Sequence, residues 1–193
     1  MSLTNTQRTA LKNFIEADGT LNAYANNEDG ATAIADLLHV AASPDFFVYR
    51  TNVPVQDIYD QVQWSKLTPA DAVPTDSALN AEVWQARSLA CQGKQFNLQT
   101  MLMGQQTINA SKANVRAGLQ DALTNVPSNT NGTTQAAGWV GVRDNALARK
   151  ATRAEKLFAD TAGGNGGTAA TAAALVIEGK LPIADIIDAR NNG

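Results

Sequence analysis

Between Ile108 and Pro127 the chain reads INASKANVRAGLQDALTNVP, in which Val115, Leu119, Ala122, Leu123 and Val126 recur every three or four residues. That spacing places side chains on one face of an α-helix. Asn109 or Ser111 supplies a cap ahead of it, and Pro127 a stop behind it. The same period runs through most of the sequence. Leu11, Phe14 and Ile15 follow a capping Thr4 and precede Asp18-Gly19; Ile34, Leu37, Leu38 and Ala41 precede Ser43-Pro44. Val55, Ile58, Tyr59 and Val62 follow Pro54, which is preorganised for a first helical turn.

From Ser77 the pattern predicts a helix with Leu79, Val83, Ala86 and Ala90 on one face, flanked by Trp84 and Leu89. Gly93 is expected to break it from a further helix carrying Phe96, Met101 and Leu102, and these two helices form the expected core. After Trp139 a long helix is predicted through VRDNALARKATRAEKLFAD, with Leu147, Ala151, Ala154 and Phe158 on one stripe. The stretch DFFVYRT reads as a buried connector, KLTPADAVPTD as a polar-edged link and SNTNGTTQAAG as a loop. The expected fold is therefore mainly α, with a helical bundle body over residues 1–160.

Four glycines in five positions, Gly163, Gly164, Gly166 and Gly167, follow that body. A phosphate-binding P-loop requires GxxxxGK[ST] between a strand and a helix, and no lysine stands in place; the dinucleotide spacing GxGxxG is also missing. The run reads instead as a hinge, because glycine holds no backbone direction cheaply. Residues 161–193 beyond it read as a C-terminal docking arm. ALVIEG forms a short strand and LPIADIIDARN a short helix, with Val176, Ile177, Ile183, Ile186 and Ile187 as anchors. An arm this small requires a surface, either its own body or a neighbour. The expectation is that residues after Thr168 order mainly on another subunit.

Composition narrows the function classes. At 193 residues, 44% hydrophobic and 17% charged, the chain is long enough to bury a core without disulfides or metals. Much of the hydrophobic share is alanine, which favours close helix packing but buries little area. A net charge of −3 and a pI near 5.1 exclude the overall basic field of a dedicated nucleic-acid binder. One cysteine, Cys91, and one histidine, His39, build neither a disulfide nor a zinc site, which suggests a reducing compartment. No signal-like or membrane-spanning apolar run of about 20 residues is present, so neither export by the usual route nor a membrane partner is expected.

Candidate chemistry is sparse. His39 stands at a helix end, where the structural use is a cation or a hydrogen bond to a last-turn carbonyl, and Cys91 sits among apolar helical positions. Asp57 and Asp60 are three apart without a second carboxylate pair, so no metal is expected; Trp64, Trp84 and Trp139 read as core or interface anchors. The expectation is a protein with no catalytic residue, no metal and no cofactor. One charge pattern is more specific. On the long helix after Trp139, Arg143, Arg149, Lys150, Arg153 and Lys156 fall on one arc, either a solvated face or a surface for DNA phosphate or an acidic partner.

With FFVYRTNVPVQDIYDQVQWSKLTP, LACQGKQFNLQTMLMG, INASKANVRAGLQDALT and ATRAEKLFA in view, the chain resembles small virion proteins encoded among the head and tail genes of tailed bacteriophages, over roughly Thr6 to Ala159. The resemblance implies a head-to-tail connector, an adaptor ring docking beneath the portal around the DNA channel. It also implies a helical body, a dodecameric ring of copies of itself, and a C-terminal arm reaching the portal or a neighbour. Portal protein and other neck or tail proteins are then its partners, with non-specific contact to packaged DNA. Its location would be the virion neck, after assembly in the host cytoplasm. A head-closure, tail-completion or minor capsid protein is the alternative, and a small cytosolic enzyme a remote one.

Overall fold

The computed structural model describes residues 3–71, 78–129 and 132–193. In chain order its elements open with α1 (Asn5–Ala17), α2 (Gly19–Asn22), α3 (Glu28–Leu38), β1 (Phe47–Tyr49), β2 (Val53–Pro54) and α4 (Val55–Gln61). Then come α5 (Ala78–Leu102), β3 (Thr107–Ile108), α6 (Ala113–Leu123), β4 (Val126–Pro127), β5 (Thr134–Gln135) and α7 (Trp139–Gly141). A π-helical turn at Val142–Leu147 leads to β6 (Ala148–Lys150), α8 (Arg153–Phe158) and α9 (Ile183–Asn192), with 3-10 turns at Trp64–Leu67 and Ala169–Thr171. Helix dominates, as the periodicity predicts, and strands are confined to two- and three-residue pieces.

The chain divides into two compact units, one made of Met1–Val48 with Lys150–Gly193 and the other of Tyr49–Arg149. This differs from the expected division at residue 160. The C-terminal residues belong to the same unit as the N-terminal helices.

In the first unit, local capping explains each helix start. Thr4 and Gln7 form a reciprocal capping box at α1. Asp18 ends that helix and accepts hydrogen bonds from the backbone N–H groups of Thr20 and Leu21, restarting the chain as α2. Asn27 caps α3, whose first turn carries Glu28 and Asp29, matched to the positive end of the helix dipole. Helix α9 lies against α1 and α3. Leu181, Ile186 and Ala189 are buried among Leu11, Ile15, Ile34, Leu38 and Phe158. At about 1.5–3 kcal/mol for each fully buried large side chain, this contact is a principal part of the unit's core.

The C-terminal segment therefore docks in cis in the single chain, and the glycine run is not a free hinge. Gly166 adopts a φ of +71°, donates its N–H to the Thr171 carbonyl at 2.8 Å and accepts from the Phe47 N–H at 2.7 Å. A Cβ there would stand 2.3 Å from the Phe46 ring, and one at Gly164 would stand 2.2 Å from the Ala172 carbonyl oxygen. These glycines permit close backbone approach, a use of glycine that composition does not distinguish from a linker. Of the expected strand in ALVIEG only Ala174 forms a bridge, with Asp160; the neighbouring bridge of Val48 falls on Ala173, just before the segment.

In the second unit α5 packs on α6 and β4, and α4 on the π-helical turn. Ile58, Leu67, Leu98, Leu102, Leu119, Leu123 and Leu147 are its largest fully buried side chains. Two short antiparallel ladders, Val53 opposite Ile108 and Val126 opposite Gln135, fasten the connections. The helix predicted around Ser111 is α6. The expected break at Gly93 does not occur: α5 runs through it for 25 residues. A glycine inside a helix costs only about 1 kcal/mol, and packing along the rest of α5 outweighs that. The link KLTPADAVPTD and the loop SNTNGTTQAAG lie partly outside the described residues, as do Ser77 and the side chain of Leu79.

The long helix expected after Trp139 is also replaced. Its sequence forms the π-helical turn, the extended β6 and the separate α8. The cause is a capping box at Thr152 and Glu155: the Thr152 hydroxyl accepts from the Glu155 N–H, and the Glu155 carboxylate accepts from the Thr152 N–H. A residue with extended backbone at Thr152 starts a new helix and cannot continue an old one.

Candidate assembly surface

Splitting that helix dissolves the basic arc. Arg143 belongs to the second unit and forms a two-pronged pair with its neighbour Asp144, with contacts of 2.6 and 3.0 Å. That pairing holds the Arg143 guanidinium above its ordinary pKa. Arg149 is half-buried at the end of the same unit. Lys150, Arg153 and Lys156 belong to the first unit. Lys150 pairs with Asp45 at 2.7 Å, and Arg153 pairs with Asp18 at 2.5 Å. The Arg153 hydrogen bond holds the Asp18 carboxyl below the usual carboxylate range, assisted by the Leu21 N–H. Lys156 lies 5.7 Å from the centre of the Phe46 ring. Arg143, Lys150, Arg153 and Lys156 are thus engaged by acids or rings of their own chain. Arg153 and Lys156 do share a small cleft with Phe14, Ala42, Ser43 and Leu157.

The arm anchors divide in the same way. Ile186 is buried; Ile177, Ile183 and Ile187 pack partly buried against the first unit's core; Val176 remains 44% exposed. Leu175 and Leu181, which the anchor set omits, are buried as well.

The residues with the side chains for chemistry take structural places. His39 is exposed at the end of α3, and its backbone N–H closes that helix on Ala35 and Asp36. Cys91 is buried, and its thiol contacts the Pro127 carbonyl at 3.4 Å. Burial pushes that thiol up, against the opposing charge of Arg87. Asp57 pairs with Arg50 at 2.8 Å, and Asp60 accepts from Gln56 at 2.6 Å. Trp64 tilts against Tyr59 with ring centres 5.6 Å apart, the Trp84 indole donates to the Asp71 carbonyl, and Trp139 is buried. Among the described residues no group of His, Cys, Asp or Glu is arranged to hold a metal ion, and no helix is long and apolar enough to cross a membrane.

The feature that stands out is α5. Its inner face buries Cys91, Leu98 and Leu102 in the second unit, and Lys94 anchors it to Asp121 at 3.0 Å. Its outer face should then be polar, as on most surface helices. It is not. Leu89 and Phe96 on this face, and Met103 just past the end of the helix, are 70%, 67% and 75% exposed, and they are spaced seven residues apart. Leu89 and Phe96 border a shallow groove with Gln92, Gly93, Gln95 and Gln99.

The sequence carries a signal for this face. QARSL, QGKQF and QTMLM, at 85–89, 92–96 and 99–103, are three occurrences of one seven-residue pattern: glutamine, a small residue, and an apolar residue four places after the glutamine. At about 100° per residue, the apolar row runs between a glutamine row and a row of Ala86, Gly93 and Thr100. Assigning a break at Gly93 hides the repeat, because it cuts the second heptad.

The chain matches no family model, and no curated protein and no solved structure matches it.

Proposed function

We propose that this chain is a structural virion protein of a tailed phage, an adaptor ring that docks under the portal and joins head to tail around the DNA channel. The sequence resemblance points to that class, and one observation in the structure supports it. A helix already packed on its inner side presents a second apolar face to solvent, at large side chains in regular register. Exposed patches of this kind mark association surfaces. A protein whose role is to be packed between copies of itself and neighbouring virion proteins requires such faces.

The charge distribution favours protein over DNA as the main partner. The cations expected to form a phosphate-binding arc are spread over two units, and Arg143, Lys150 and Arg153 are held by Asp144, Asp45 and Asp18. Contact with packaged DNA is then weak and non-specific, which suits a channel through which DNA slides. In this reading residues 161–193 stay docked on the N-terminal helices of their own unit, with Val176 left for a neighbour.

Co-expression with the portal protein of the same virion tests this role. The chain is expected to co-purify with the portal in the absence of every tail protein. Binding that appears only when a tail protein is supplied would contradict the adaptor role and favour tail completion.

A further inference from the structure

We infer that the cleft between α1, α8 and the segment after α3 is a binding site for a small apolar monocarboxylate, a ring-sized hydrophobic body carrying one negative charge. Every residue lining the cleft belongs to the first unit, and such a ligand would bind whether or not the chain forms a ring.

The cleft encloses about 370 Å³, at the lower end of the range for small-molecule sites. Its walls come from three places in the sequence: Phe14 on α1, Ala42 and Ser43 after α3, and Arg153, Lys156 and Leu157 on α8. The three on α8 are spaced i, i+3 and i+4, so they share one side of that helix. Backbone hydrogen bonds fix these walls before any ligand arrives. The Ala42 N–H donates to the Ala151 carbonyl at 2.9 Å, and the Arg153 N–H donates to the Val40 carbonyl at 3.0 Å. The Thr152–Glu155 capping box sets the first turn of α8. A site held in this way needs little further ordering when it is filled.

The lining combines apolar surface with positive charge. Phe14, Ala42 and Leu157 supply carbon, Arg153 and Lys156 supply cations, and Ser43 supplies a hydroxyl. The Arg153 guanidinium lies 5.5 Å from the centre of the Phe14 ring, which keeps the charge beside the apolar wall. The charge balance sets how many anionic groups the site takes. Asp18 accepts from the Nη2 of Arg153 and offsets that cation. Lys156 lies 5.7 Å from the centre of the Phe46 ring and has no carboxylate partner among the described residues. One positive charge is therefore left over, and a single carboxylate matches it. Guanidinium and ammonium groups on one wall carry donors for both oxygens of that carboxylate. A nucleic-acid backbone suits the cleft less well, since it brings a row of phosphates and no apolar body to set against Phe14 and Leu157.

NMR titration of the full chain with 2-naphthoate tests the site. The amide signals of Phe14, Ala42, Ser43 and Leu157 should shift together and saturate with a Kd of about 1 mM or tighter, and added salt should weaken the binding. Acetate, which has the charge without the ring, and 2-naphthylmethanol, which has the ring without the charge, should leave those signals in place at the same concentrations. Lys156→Gln should weaken naphthoate binding by at least about tenfold, and Lys156→Arg should retain it. Four results would overturn the inference: no saturable shift of the cleft signals, shifts centred elsewhere on the chain, a response to acetate or 2-naphthylmethanol equal to that of naphthoate, or unchanged affinity in a folded Lys156→Gln chain. If that variant loses its fold, the three ligands and the salt series on the wild-type chain still decide.

Discussion

The Glu155 carboxylate, buried in the first turn of α8, accepts a hydrogen bond from the backbone N–H of Gly179 at 3.0 Å. Its other oxygen caps its own helix by accepting from the Thr152 N–H at 2.9 Å. A single side chain thus closes α8 and fastens the segment that leads into α9. Replacing Glu155 with alanine leaves both N–H groups without that acceptor, at about 1–3 kcal/mol for a buried group left unsatisfied. Urea unfolding should show a loss of about 2 kcal/mol or more, with Glu155→Gln falling between because one acceptor remains. A change below about 0.5 kcal/mol in the alanine variant would show that the latch carries no weight.

Removing α9 should damage the first unit's core. A chain ending at Lys180 uncovers Leu11, Ile15, Ile34 and Leu38, which are fully buried beside Ile186 and Ala189. The truncated protein is expected to bind a hydrophobic dye strongly and to lose its cooperative thermal transition. A sharp transition at the full-length temperature would mean that α9 is a removable arm.

Two glycines should respond with opposite signs. Gly166→Ala meets both a positive φ and the Phe46 ring, so destabilisation of about 2 kcal/mol or more is expected. Gly93→Ala lies in open space inside a helix and should stabilise by about 0.5–1 kcal/mol. Thermal melts of both variants check this.

The acid limb of stability includes Asp18. Its carboxyl titrates below the ordinary 3.8 because Arg153 and the α2 backbone bond its charged form. A depressed folded value means that the stabilisation is present above the unfolded value and is lost as pH falls through the folded one. NMR titration should place Asp18 below 3.8, and Arg153→Met should move it upward, since the Arg153 hydrogen bond is the largest cause. An unmoved midpoint would assign the shift to the helix cap instead.

Local signals in the sequence reveal most of the helices. The period around Leu119 and Leu123 and the stop at Asp18 each correspond to an observed element. Two features were hidden for physical reasons. At Thr152 the apolar stripe continues in register from Leu147 to Phe158, so period alone joins what the Thr152–Glu155 box divides. At Gly166 the decisive fact is the Phe46 ring, a contact more than a hundred residues distant in sequence. The basic arc failed with the helix that carried it. The α5 face was legible in principle, since its repeat needs only a helix unbroken at Gly93.

The most direct measurement is single-particle imaging of the purified chain mixed with its portal. The adaptor account predicts closed rings of this protein, coaxial with the portal and bound to one face of it. Isolated monomers beside bare portals, at concentrations where both are folded, would contradict it.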